Sequence, residues 1–327
     1  MYYNQAIIEK GDSKYPTLRH MLQDNLALLT ARIQATGVFD AVFISKCLVE
    51  MKTAESSRSC TVFPLFLIED HESPQANFSD KRRTPNLNPK VLQSLAQKLG
   101  VKPEGDFGLP DGLTPNDVLW YAYAVFHSPG YRTSYAEFLK IDFPRLPLTG
   151  HQELFRALAR LGGELVTLHL VESPCQTSIV ALFDRDTRAW RYQYSDGKKP
   201  PILICFAGPA EPVVEKVSYG NKTVWIDKAQ RVGFAGVPED VWNFHIGGYQ
   251  VCAKWLKDRK GRGLSAEDII HYHRIVVALH ETIRLMAEID KTIDAHGGWP
   301  AAFDSANDRQ DRGQGHQPLR RRSAESV

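Results

Sequence analysis

A chain of 327 residues with 43% hydrophobic and 24% charged content is long enough to bury one large core or two smaller ones, which excludes disorder as the default. No stretch approaches the roughly eighteen apolar residues needed to span a bilayer, and MYYNQAIIEKGD lacks the basic-then-apolar order of a secretory signal; a cytoplasmic protein with no membrane partner is expected. The net charge of +2 is modest for a protein that must hold a polyanion, yet it is unevenly spread: Lys254, Lys257, Arg259, Lys260 and Arg262 crowd together with Asp258 as the single acid among them, and Lys81-Arg82-Arg83 forms a second cluster.

In chain order, Arg19 to Ile33 places Leu22, Leu26, Leu29 and Ile33 at helical spacing and predicts a helix. VFDAVFIS and TVFPLFLI then predict strands, the second interrupted at Pro64. His71 to Thr84 is polar and carries Pro74, Asn77 and Ser79, which predicts a surface loop that delivers Arg82 and Arg83. Thr114-Pro115-Asn116-Asp117 is a helix start: a threonine cap, a proline at the first helical position and an acid in the first turn. That helix runs through WYAYAVFH to Pro129-Gly130; a further helix is expected over Tyr131 to Lys140, and Leu154, Leu158, Leu161 and Leu165 mark another over 151–169.

From Val171 to Phe234 the period changes. IVALF, AWRYQY, PILICF, VVEKVSY and KTVWI are short, rich in branched and aromatic residues, and separated by turns such as Ser195-Asp196-Gly197 and Gly220-Asn221. Beyond Val237 the chain reads as helical, with Gly247-Gly248 taken as a close helix packing or a helix start. Ser265-Ala266-Glu267-Asp268 opens a long helix whose Ile269, Tyr272, Val276, Leu279, Ile283 and Met286 form a core seam. After Trp299-Pro300 the composition predicts a disordered tail. The expected class is therefore α+β (mixed). It comprises an N-terminal α/β portion (1–110), a helical connector (111–170), a β-rich recognition portion (171–236), C-terminal helices as support (237–298) and the tail (299–327).

The residues offer little chemistry. Five cysteines, Cys47, Cys60, Cys175, Cys205 and Cys252, are odd in number and form no C-x-x-C pair, so neither a disulfide framework nor a zinc site is expected. There is no glycine-rich loop for a nucleotide phosphate and no G-x-S-x-G elbow. His271 and His273 point about 200° apart on a helix and cannot chelate together, while His127, His169 and His245 read as core imidazoles. No catalytic and no metal site is expected. What remains is binding: a basic loop between two helices, with Tyr249 and Trp255 nearby, suits a surface that grips phosphates and lowers side chains to base edges.

The run FHIGGYQVCAKWLKDRKGR from Phe244 to Arg262, followed by the helix ending IRLMAEID at Asp290, resembles the C-terminal specificity domain of type ISP restriction-modification enzymes. The resemblance extends to TPNLNP (Thr84 to Pro89), to Trp120–Thr149 and to NLALLTARIQ (Asn25 to Gln34). In that family one polypeptide joins a nuclease, a translocating ATPase, an N6-adenine methyltransferase and a target-recognition domain. The resemblance therefore implies double-stranded DNA as partner, with S-adenosylmethionine, ATP and magnesium used only by the other parts. It implies a non-catalytic chain that works with a methyltransferase/helicase polypeptide encoded upstream. The methyltransferase signature N-P-P-Y is missing, and the start at Tyr2-Tyr3 falls where relatives are part-way through a strand; a truncated or split gene, or a domain cut from a longer parent, is expected. Within the matched segment the candidate DNA-binding residues are Tyr249, Gln250, Lys254, Lys257, Arg259, Lys260 and Arg262, with Arg82, Arg83 and Gln230 outside it. Long cations suit phosphates, whereas Gln250 or Gln230 could pair with adenine. Two alternatives stand beside this reading: a remnant that binds only protein, or the C-terminal part of an active adenine-specific methyltransferase.

Overall fold

The computed structural model describes residues 15–34, 37–50, 53, 60–68, 83–103, 105–184, 189–194, 202, 204–209 and 211–304. A short helix α1 (Tyr15–Leu18) leads to strand β1 (Ala27–Thr30), which lies between β2 (Val42–Ser45) and β3 (Thr61–Pro64) and is antiparallel to both. Of the helix expected over Arg19 to Ile33, Arg19–Met21 form a 3-10 turn, and a central strand stands in place of the rest at Ala27–Thr30. Leucine spacing alone fits either form; pairing on both edges, with Leu29 opposite Phe43 and Val62, satisfies the backbone in a way an isolated helix would not. Pro64 ends the edge strand, where its missing N–H costs no ladder bond. The chain resumes as β4 (Phe66–Ile68), paired with β5 (Arg83–Pro85), so Arg83 and Thr84 lie in a strand and not in the expected loop. Lys81 and Arg82 lie outside the described residues.

Helix α2 (Pro89–Leu99) is capped by Asn88, and α3 (Pro115–His127) by Thr114 as its sequence predicts, with the Asp117 carboxylate accepting in return from the Thr114 amide. The helix is interrupted before Pro129-Gly130, as that pair predicts: Ser128 is extended and caps α4 (Pro129–Ser134), and α5 (Ala136–Leu139) follows at once. Helix α6 (Gln152–His169) packs along α3, and their leucines and aromatics form one core with Leu92, Leu95, Leu285, Ile289 and Ile293. A short α7 (Pro174–Thr177) then leads into β6 (Ile179–Asp184), β7 (Ala189–Tyr194), β8 (Cys205–Ala207), β9 (Ser218–Gly220), β10 (Thr223–Trp225) and β11 (Gly233–Ala235). These make a six-stranded sheet in the order β6-β7-β8-β11-β10-β9. Asn221 and Lys222, at φ 52 and 55, make the tight turn from β9 to β10. The turn expected at Ser195-Asp196-Gly197 lies outside the described residues.

Next come α8 (Glu239–Trp242), a two-stranded hairpin of β12 (His245–Ile246) and β13 (Tyr249–Gln250), α9 (Val251–Lys257) and α10 (Ala266–Ala295). The hairpin corrects the helical reading of Gly247-Gly248. Both glycines have positive φ, 58 and 82, and His245 pairs with Gln250, so they form a two-residue hairpin turn that residues with a Cβ rarely adopt. Helix α10 has 30 residues and is roughly 45 Å long. Its first half, through Ile269, Tyr272, Val276 and Val277, closes a second core with Phe206, Val224 and Phe234 of the sheet; its second half enters the helical core. Trp299 stacks on Phe303 at 4.2 Å, and Thr149 donates to the Ala302 carbonyl at 2.8 Å, so the chain through 304 is docked and not tail, because Trp299, Ala302 and Phe303 are apolar groups that close the helical core. Residues 305–327 lie outside the description. Among the described residues no helix is long and apolar enough to cross a membrane.

Candidate nucleic-acid interface

The loop from Asp258 to Gly263 joins α9 to α10; at its start the Asp258 and Arg259 amides donate to the Lys254 and Leu256 carbonyls, both at 3.0 Å, and its far end is fixed to a neighbouring segment. The Gly261 amide donates to the Val214 carbonyl at 2.8 Å, the Val214 amide to the Arg262 carbonyl at 3.2 Å, and the Leu264 amide to the Pro212 carbonyl at 2.8 Å. A strap of chain over 212–216 therefore lies against the basic loop. Below it, Leu256 and Leu264 are fully buried. Ser265 and Asp268 cap α10 reciprocally. Although partial burial opposes its charged form, the Ser265 amide and the Arg259 guanidinium together hold the Asp268 carboxyl below its usual range.

The five cations of the cluster fall into two groups. Lys254 makes an ion pair with Asp258 at 2.5 Å and lies 5.5 Å from the centre of the exposed Tyr249 ring. Arg259 stacks on Trp255, donates from Nε to Asp268 at 3.3 Å and from Nη1 to the Trp255 carbonyl at 3.2 Å. Lys257, Lys260 and Arg262 are exposed and have no acidic partner among the described residues. Lys257 and Lys260 border a cleft with Val214, Glu215, Lys216 and Val217, and no ion pair joins Glu215 to either lysine among the described residues.

Gln250 is half-buried and its Nε2 donates to the Trp242 carbonyl at 2.7 Å, which holds β13 against α8. Gln230 is different. It stands exposed in the loop between β10 and β11 at φ 54, and its amide has no partner among the described residues. That loop reaches the basic one through the strap, because the Glu215 and Lys216 amides both donate to the Ile226 carbonyl, at 2.8 and 3.1 Å. Gln230 and the Lys257–Arg262 loop are thus held on one framework. Arg83 is elsewhere, in the β4–β5 hairpin, where it lies 4.7 Å over the Phe66 ring and donates to the Asp24 carbonyl. Lys216, Lys228 and Arg231 are further exposed cations on this framework that the sequence reading missed. Lys216 lies in the strap, whose bonds to the Ile226 carbonyl connect it to the loop that carries Lys228 and Arg231.

The histidines take structural places. His127 is buried, and dehydration and then the Arg132 charge push its pKa well down. His169 accepts from the Tyr123 hydroxyl at Nδ1 (2.7 Å) and donates from Nε2 to Thr282 at 2.9 Å. His245, expected in the core, is exposed, because it opens the β12–β13 hairpin with its ring turned to the Asn243 carbonyl. The hairpin turn is tied to the N-terminal portion by the Gly247 amide donating to Asp40 at 2.9 Å. Among the described residues no group of His, Cys, Asp and Glu is placed to hold a metal ion.

No curated protein matches the chain. Among solved structures it resembles the ATP-dependent Type ISP restriction-modification enzyme LlaBIII bound to DNA (16% identity, TM-score 0.54, 82% of this chain and 16% of that one). It also resembles the DrdV–DNA complex (19%, 0.55, 81% and 24%). A third likeness is to a nuclease-deletion mutant of the Type ISP enzyme LlaGI in complex with a DNA substrate mimic (17%, 0.53, 88% and 23%). The chain therefore spans between 16% and 24% of the length of these enzymes, and what is shared with them is the fold. The family model described as the Type ISP C-terminal specificity domain matches residues 1–288, and the chain belongs to that family.

Proposed function

We propose that this chain recognises a sequence in double-stranded DNA for a restriction-modification assembly and makes or breaks no bond itself. The observation that carries this is the exposed trio Lys257, Lys260 and Arg262, presented at the end of α9 and on the anchored loop that follows it, and free of acidic partners among the described residues. Cations on a rigid base meet phosphates without first losing much conformational freedom, and their neutralisation of phosphate releases counterions. Of the structures that share the fold, those of LlaBIII and DrdV hold DNA and that of LlaGI holds a DNA substrate mimic, which supports the same partner here. Methylation, translocation and cleavage, with S-adenosylmethionine, ATP and magnesium, belong on this reading to a polypeptide that the chain serves.

The test is fluorescence anisotropy on short duplexes over a range of salt. Log affinity should fall linearly with log salt, with a slope of about −0.9 per neutralised phosphate. Affinity that ignores salt would reject the proposal. Binding of S-adenosylmethionine by the chain in calorimetry would favour the methyltransferase alternative.

A further inference from the structure

We infer that the loop from Asp227 to Arg231 is the base-reading element of this chain, with Gln230 making the readout and Asp227 acting as its positioning residue. This rests on the DNA-binding function proposed above. The loop is closed by the Ile226 amide donating to the Val232 carbonyl at 2.9 Å. Across it, one carboxylate oxygen of Asp227 accepts from the amides of Arg231 and Val232, both at 2.9 Å. Those bonds hold Gln230 in the left-handed region, which residues with a side chain rarely occupy. Beneath, Val224, Ile226 and Phe234 are fully buried, and a Cβ at Gly233 would lie 2.5 Å from the Val224 carbonyl oxygen, so β10 and β11 leave the loop no slack.

The side chains on this rigid tip face outward. Lys228, Gln230 and Arg231 are exposed, and none has a side-chain partner among the described residues. Asp227 in the loop and Glu215 in the strap are engaged with backbone, Asp227 as described and Glu215 with the Lys228 amide at 3.4 Å. Through the strap, Lys216, Lys228 and Arg231 continue the charge of Lys257, Lys260 and Arg262. Lys228 and Arg231 thus flank the Gln230 amide along the loop, while Lys216 shares a cleft with Lys257 and Lys260. A glutamine amide offers one donor and one acceptor side by side, the pattern that matches N7 and N6 of adenine in the major groove.

The experiment uses the full chain and a duplex library with a randomised core, selected by binding and sequenced. Gln230→Gly removes the amide while keeping the left-handed backbone, and Gln230→Asn keeps an amide that is one carbon shorter. Both are expected to melt like the parent, to bind unselected DNA as well, and to lose roughly tenfold of discrimination at one base pair. Asp227→Ala is expected to blur the same position. Lys228→Ala and Arg231→Ala should weaken every sequence alike and flatten the salt slope by about 0.9 each. If the parent selects a sequence and both Gln230 variants select it equally well, the inference is overturned while the DNA-binding function stands. A parent that binds without preference overturns it too. A parent with no salt-dependent binding removes the function on which it rests.

Discussion

The guanidinium of Arg259 lies 3.5 Å from the centre of the Trp255 ring, and its Nε is bonded to Asp268. Trp255 in turn lies 5.6 Å from His271 and 5.4 Å from Tyr272, so Arg259 pins α9 to the start of α10. A phosphate contact by Arg259 would have to compete with this packing. Arg259→Ala should lower stability by about 1–2 kcal/mol, the range for a partly desolvated cation over tryptophan. Lys257→Ala and Lys260→Ala should leave stability within about 0.5 kcal/mol and each flatten the salt slope of DNA binding by about 0.9. Urea unfolding and anisotropy on the same three variants separate the roles; an Arg259 variant of unchanged stability that loses slope would reverse the assignment.

Asp268 holds two neighbours at once, since it accepts from the Ser265 amide and from Arg259. Ser265→Ala removes one cap and should cost about 1 kcal/mol. Asp268→Ala removes the reciprocal bond and also frees Arg259, so its cost should exceed that of Ser265→Ala and fail to add with Arg259→Ala. A double-mutant cycle measures the coupling, and strict additivity would show that the Arg259 contact contributes nothing.

Elements that satisfy themselves locally were readable in the sequence. The Thr114 cap, the Ser265–Asp268 box and the leucines of α6 each depend on residues within a turn or two, and all are found where their spacing puts them. β1 was not readable, because its leucines are consistent with a helix and only β2 and β3, far along the chain, decide between the two forms. The same holds at the candidate interface. The crowded cations from Lys254 to Arg262 are plain in the sequence, but which are engaged depends on Asp258, Asp268 and Trp255. The link from Gln230 to that loop runs through residues 212–216, whose backbone bonds leave no trace in residue type.

His169 makes stability depend on pH. Its Nε2–H donates to Thr282, whose hydroxyl donates to the Ala278 carbonyl, so Nδ1 is the bare acceptor for Tyr123. Loss of hydration and then the Arg132 charge lower the ring's pKa from 6.5 to about 4. The unfolded chain binds a proton that the folded one refuses between these values. Stability is therefore complete above about pH 6.5 and declines as pH falls towards 4, by on the order of 3 kcal/mol from this group. The buried His127, depressed in the same direction, adds to the slope. Urea midpoints at pH 7 and pH 5 for the parent and for His169→Gln check this: the difference between the two pH values should shrink in the variant, and an equal difference would place the acid sensitivity elsewhere.

Gly162 sets the approach of α6 to α3. Alanine is the better helix former by about 1 kcal/mol, and a glycine inside a helix invites that replacement on propensity alone. The packing forbids it. A Cβ at this position would lie 1.9 Å from the Trp120 carbonyl oxygen and 2.6 Å from its carbon, both backbone atoms that no rotamer can move aside. The helices would have to separate along a contact that buries Tyr121, Val125, Leu158 and Leu165. Gly162→Ala should therefore destabilise the chain by about 2–3 kcal/mol, at the upper end of overpacking costs. Its neighbour supplies the control, since a Cβ at Gly163 would meet only the Trp120 ring, at 3.3 Å, and a side chain can shift by a few tenths of an ångström. Gly163→Ala should cost much less than Gly162→Ala in a thermal melt; equal costs would mean that the α3–α6 contact is looser than the backbone distance at Gly162 requires.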